Sequence, residues 1–167
     1  MSKKKRLMYL LIIIGALLLG VAIYALSPIL YDNKVNDPVI SSQEITENNN
    51  ITIIASGEFK DADERHKGSG IAEIIKREDG FYLQLKDFNA TNGPNLKLWL
   101  STYKEPTNKN ATDENSYLDL GNLKGNVGNQ SYKLPDDFQI NDYHSVTVYC
   151  KLFRVLFTTA TLKHTKK

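Results

Sequence analysis

From Leu7 to Leu26 the chain carries no charged residue, and this unbroken apolar run limits its fate more than any other feature. At 1.5 Å per helical residue, about 20 residues reach about 30 Å, the thickness of a hydrocarbon core. Lys3, Lys4, Lys5 and Arg6 stand directly before the run, and no cluster of comparable density follows it. The positive-inside tendency then leaves residues 1–6 in the cytoplasm and carries the remainder across. A cleaved signal peptide shares the basic start, but its apolar core is usually about 7–15 residues long and ends in a small-x-small site. Neither condition is met here. Residues 7–26 are therefore expected to be an uncleaved single-pass anchor in the lipid bilayer of the cell membrane. Both readings place residues 27–167 outside.

Four of the 21 basic residues precede the run, which leaves 17 against 19 acidic residues beyond it, a net charge of −2. The basic pI of 8.5 is thus partly a topology signal. Nucleic-acid binding needs a basic patch on the folded part, and none stands out, so no nucleic-acid partner is expected. Residues 27–50 contain Pro28, Pro38 and a run of three Asn, with neither helical nor strand periodicity. They read as a tether that spans about 25–30 Å as a flexible coil. Residues 51–163 remain as one domain of about 113 residues, ample for independent folding. Residues 164–167 are a polar tail.

That domain reads as all-β. Runs rich in branched and aromatic residues recur between turn signals at 51–59, 70–77, 81–87, 95–101, 117–121, 130–134, 145–150 and 153–162. Asp79-Gly80 is the strongest hairpin signal, since Asp-Gly supplies the positive φ of a type I′ turn. Leu96, Leu98 and Leu100 alternate with Lys97, Trp99 and Ser101, which puts Trp99 on the opposite face. About eight strands this short need a second layer, so a sandwich or small barrel is expected behind the one N-terminal transmembrane helix.

Cys150 is the single cysteine. Outside the membrane, a thiol without an intramolecular partner is buried, paired with another chain, or in chemical use. Val146, Val148 and Cys150 share one strand face. Phe153, Val155 and Phe157 have the opposite parity, so either both strand faces are covered or a bulge or bend near Lys151-Leu152 re-aims the chain. Lys151 and Arg154 are close enough in sequence to favour a thiolate.

Three blocks carry a family resemblance. They are Asn92-Gly-Pro-Asn-Leu-Lys-Leu-Trp-Leu-Ser101, the Leu118 to Pro135 stretch, and Tyr143-His-Ser-Val-Thr-Val-Tyr-Cys-Lys-Leu-Phe-Arg-Val-Leu-Phe157. Gly57-Glu-Phe59 and Gly68-Ser-Gly70 match the opening. In order and spacing these residues resemble the DM13 domain over about 57–162. The resemblance implies a β-rich extracytoplasmic module with a redox or electron-transfer role, in which Cys150 is a bare redox thiol or the ligand of a group such as haem. Leu152 and Thr158 depart from the family's pattern, where proline and a small residue are frequent.

Metal chemistry has weaker support. Blue copper wants two His, one Cys and usually an axial Met, but Met1 and Met8 precede or begin the apolar run. His144 is six extended residues from Cys150, about 20 Å away. No metal site is expected, and the Cys-x-x-Cys-His of covalent haem is absent. His66 reads as a solvated loop residue, and the Gly121 to Gly128 run as a turn-rich connection. The preferred function is a membrane-anchored extracytoplasmic electron-transfer module centred on Cys150, more a component than a stand-alone enzyme, with an unidentified redox or surface protein partner. The alternative is a non-enzymatic cell-surface binding or adhesion domain with a structural buried cysteine. A disulfide dimer through Cys150 is the remaining use of an accessible thiol.

Overall fold

Period-two alternation governs the chain beyond residue 50, and the computed structural model, which describes residues 2–41 and 50–165, realises it as a single curled sheet. The strands are β1 (Thr52–Asp61), β2 (Gly68–Arg77), β3 (Gly80–Ala90), β4 (Leu96–Ser101), β5 (Tyr117–Asn122), β6 (Val127–Lys133), β7 (Ser145–Cys150), β8 (Val155–Thr161) and the short β9 (Lys163–His164). Their order is β5-β4-β7-β8-β1-β2-β3-β6, and β9 pairs with β1. β1 closes the half-barrel by changing partner along its length. Thr52 to Glu58 pair with β2, and Phe59 to Asp61 pair with β8.

Alternation fills the concave side. Ala72 and Ile74 of β2, Leu83 and Leu85 of β3, and the Leu96-Leu98-Leu100 ladder all enter one core. On β3 the parity then changes. Asp87 has φ +49°, the β3–β6 register shifts between Leu85 and Phe88, and Phe88 and Ala90 become the inward pair. Gly70 (φ +104°) faces this irregularity, where a Cβ would meet the backbone of Asp87 and Phe88. The β2–β3 hairpin forms as expected, but its two-residue loop is Glu78-Asp79. Gly80 pairs with Arg77 as the first residue of β3.

The helix α1 (Lys3–Leu30) belongs to a separate unit, Met1–Tyr31. Its Lys3–Tyr24 portion has a mean hydropathy of 2.6 and the length to cross a membrane. Ser2 caps its first turn by accepting a hydrogen bond from the Lys5 amide.

Residues 32–40, read above as part of a free tether, lie against the domain as a strap. The Val35 and Asp37 amides donate to the carbonyls of Val127 and Asn129, both at 2.9 Å, in a parallel arrangement along β6. The Asp37 carboxylate meets Lys124 Nζ and the Ser131 amide. Further on, the Ile40 amide donates to Gln84 Oε1 at 3.0 Å. The strap therefore pairs the open edge of β6, which would otherwise offer unpaired backbone groups. Pattern reading misses it because these contacts are polar and have no apolar period. Residues 42–49, the rest of that expected tether, lie outside the described residues.

Gly125 and Gly128 make room for the strap, since Cβ atoms there would overlap the carbonyl oxygens of Asn33 and Val35. Gly128 also has φ +105°. Gly128→Ala is expected to cost at least about 1–2 kcal/mol from backbone strain alone and to release the strap. Chemical denaturation and the rate of limited proteolysis within 32–41 measure both effects. Unchanged stability together with unchanged cleavage would contradict the strap's role.

Candidate functional site

Cys150 ends β7, whose six residues are all buried. Strand pairing sets it opposite Leu96 on β4 and Val155 on β8. The change of parity expected beyond it is not a bent continuation. Residues 151–154 form a turn that reverses the chain, with Arg154 at φ +57°, and β8 returns beside β7. The bulge lies later, where Val148 pairs with Thr158 and Tyr149 with Leu156. Phe157 is the extra residue, and it enters the same core cluster as Cys150.

The thiol is 0% exposed and free. Its Sγ donates to the Pro94 carbonyl oxygen at 3.0 Å. Residues 91–95 thus form a lid over the end of β7, tied down by the Lys151 amide donating to the Asn95 carbonyl at 3.2 Å. Gly93 is required in this lid. A Cβ there would stand 2.7 Å from Phe157 Cζ and 2.9 Å from Cε1.

A second loop braces the lid. The Thr91 amide donates to the Lys67 carbonyl at 3.0 Å, and Thr91 Oγ1 accepts from the Lys67 amide at 2.9 Å. His66 packs on Phe157 with ring centroids 4.4 Å apart and planes tilted by 48°, and its Nδ1 is 2.8 Å from Asp63 Oδ2. His66 is therefore a packed wall of the site rather than a solvated loop residue. Hydrogen bonds from the His66 ring and from the amides of His66 and Arg65 hold the Asp63 carboxyl down at about 2. Asp61 is engaged by the Gly68 amide and Lys67 Nζ. His144 and His164 lie at other strand ends, and among the described residues no group of three His, Cys, Asp or Glu is placed to hold a metal.

Haem does not fit this site. Axial ligation needs an open face at Sγ, whereas the sulfur is enclosed and its hydrogen bond runs to Pro94. The nearby His66 ring is held through Nδ1 by Asp63 and lies against Phe157. A disulfide between chains likewise requires the lid to open first. Sequence reading selected Cys150 but missed Gly93, Pro94, His66 and Phe157 as its surroundings. The Asn92-Gly-Pro-Asn95 turn signal was the available clue, and its target, 56 residues away, was not.

Two outcomes test this geometry. Overpacking at the lid in Gly93→Ala should cost about 1–3 kcal/mol in the closed state and relief on opening should speed native Cys150 labelling roughly tenfold to a hundredfold. An unaltered labelling rate would show that the lid does not control access. Separately, Asp63 has a depressed pKa, so its hold on the 62–66 loop is complete above pH 3.8 and is lost as pH falls towards about 2. The NMR contact between His66 and Phe157 should weaken over that window. Persistence of the contact to pH 2 would contradict this.

A search of curated proteins gave no significant match. Among solved structures, the chain is similar to an Asp-to-Asn mutant of Candida albicans superoxide dismutase 5, with a TM-score of 0.49 and 10% sequence identity, covering 70% of this chain and 94% of that one. The family described as Electron transfer DM13 matches residues 58–162. That stretch includes all of the core strands from β2 to β8, the lid and Cys150, and the chain belongs to the DM13 family.

Proposed function

We propose that this protein is a membrane-anchored electron-transfer module whose DM13 domain lies on the extracytoplasmic side and whose redox centre is the Cys150 thiol. Residues 7–26 are the anchor in this reading, with the basic residues 3–6 on the cytoplasmic side. The observation that carries the reading is convergence. Two separated blocks of the family's pattern, residues 92–101 and 143–157, meet at one buried sulfur, and the family is described by electron transfer.

Burial narrows the chemistry. Thiol–disulfide exchange needs one sulfur to touch another, and a sealed sulfur cannot be touched. Passing an electron needs proximity only. The step is then one electron from Sγ to an outer-sphere acceptor and one proton handed over at the Pro94 carbonyl of the partly exposed lid to water outside, leaving a thiyl radical that one electron from a reductant and one proton by the same route restore. Cys150→Ser is the direct test. Voltammetry of the full-length protein in detergent should show a reversible one-electron wave that the variant lacks. The same trace in both proteins would remove Cys150 as the centre.

One observation favours the alternative of a surface-binding domain with a structural cysteine. Leu152 and Phe153 at the β7–β8 turn are 61% and 63% exposed, between the charged Lys151 and Arg154. In that case Leu152→Ser with Phe153→Ser would abolish adhesion, and Cys150→Ser would not.

A further inference from the structure

A buried aromatic stack on the outer face of β4 and β7 has no part in the site described so far. Trp99 lies between Tyr117 and Tyr149, with ring centroids 4.1 and 4.6 Å away and planes inclined by 21° and 22°. Trp99 is 2% exposed and Tyr149 1%, while Tyr117 is half-buried. The stack thus leads from the neighbour of Cys150 in the chain towards the surface. Packing alone does not account for Trp99. Among the described residues its Nε1 is buried without a hydrogen-bond partner, as is Oγ1 of its cross-strand partner Thr147. Leaving such a donor unsatisfied carries a desolvation cost that a phenyl ring would avoid.

We propose that Tyr117, Trp99 and Tyr149 form a one-electron relay between the surface and the Cys150 end of β7, with Trp99 as its central station. The proposal rests on the electron-transfer reading above. An outer-sphere oxidant at Tyr117 gains one electron and the stack loses one, so that the indole becomes a radical cation and no bond is made or broken. Both flanking phenol rings turn the negative faces of their quadrupoles towards that charge, the attraction that operates in cation–π pairs. Nε1–H keeps its proton because it has no acceptor to give it to. The charge therefore rests on Trp99. One electron from Cys150 then refills it, the thiol proton leaves by way of the Pro94 carbonyl to water outside the lid, and a thiyl radical remains.

Flash photolysis of the full-length protein in detergent, with photogenerated tris(bipyridyl)ruthenium(III) as oxidant, tests the relay. The chain contains one Trp, so any indole radical belongs to Trp99. The absorption of the indole radical cation should follow the flash in wild type and in Cys150→Ser, and should be lost in Trp99→Phe. Tyr117→Phe, which keeps the ring, should slow its appearance. The wild-type spectrum and the Tyr117→Phe rate decide the matter even if Trp99→Phe fails to fold. Oxidant consumption without an indole signal, a deprotonated neutral indole radical, or an unchanged rate in Tyr117→Phe overturns the relay. The role of Cys150 is read separately. It requires the indole signal to decay faster in wild type than in Cys150→Ser, and equal decay contradicts that role while the signal's formation still decides the relay.

Discussion

The register between β4 and β7 is the constraint on which the rest depends. Leu96, Leu98 and Leu100 stand opposite Cys150, Val148 and Val146, and all six side chains enter the core. A slip of one residue would exchange the faces of a strand. Trp99 would then enter the core, and the apolar ladder would be broken. One register thus seals the thiol on the concave side and assembles the aromatic stack on the convex side.

Sealing the thiol takes more than the sheet. The lid at 91–95 covers the sulfur because Gly93 lets the backbone rest on Phe157 and because Pro94 presents a carbonyl to Sγ. The bulge in β8 turns Phe157 inward to receive the lid. His66 then backs Phe157, and Asp63 fixes His66. Each support is local, so access to the sulfur can change without unfolding the core. Such an enclosure suits a group that exchanges electrons and excludes one that must be touched by haem iron or another sulfur.

How much of this could be read from residue order varies with the kind of force involved. The eight main strands were legible because apolar alternation is their cause, as in Leu96-Lys-Leu-Trp-Leu100, and the outward placement of Trp99 followed from the same rule. The strap was not legible. Asn33, Val35 and Asp37 are held by backbone pairing and side-chain hydrogen bonds to β6 and to Asn126 just before it, and Pro38 with its polar neighbours reads as loop. Cys150 was legible as the lone thiol on a core face. Its lid was not, because the contact of Pro94 with Sγ joins residues that only the tertiary structure brings together. The parity change after Cys150 signalled a turn, and local pattern could not tell a reversal from a bend.

On the proposed reading, an electron leaves Cys150 while the domain stays folded. Coulometric oxidation of the native full-length protein by a one-electron acceptor such as ferricyanide, followed by denaturing alkylation to count the surviving thiol, tests it most directly. Thiol should be lost in step with electrons delivered, under conditions where alkylating reagents do not reach Cys150. An intact thiol after the acceptor has been consumed, or no consumption until the lid is opened, would contradict it.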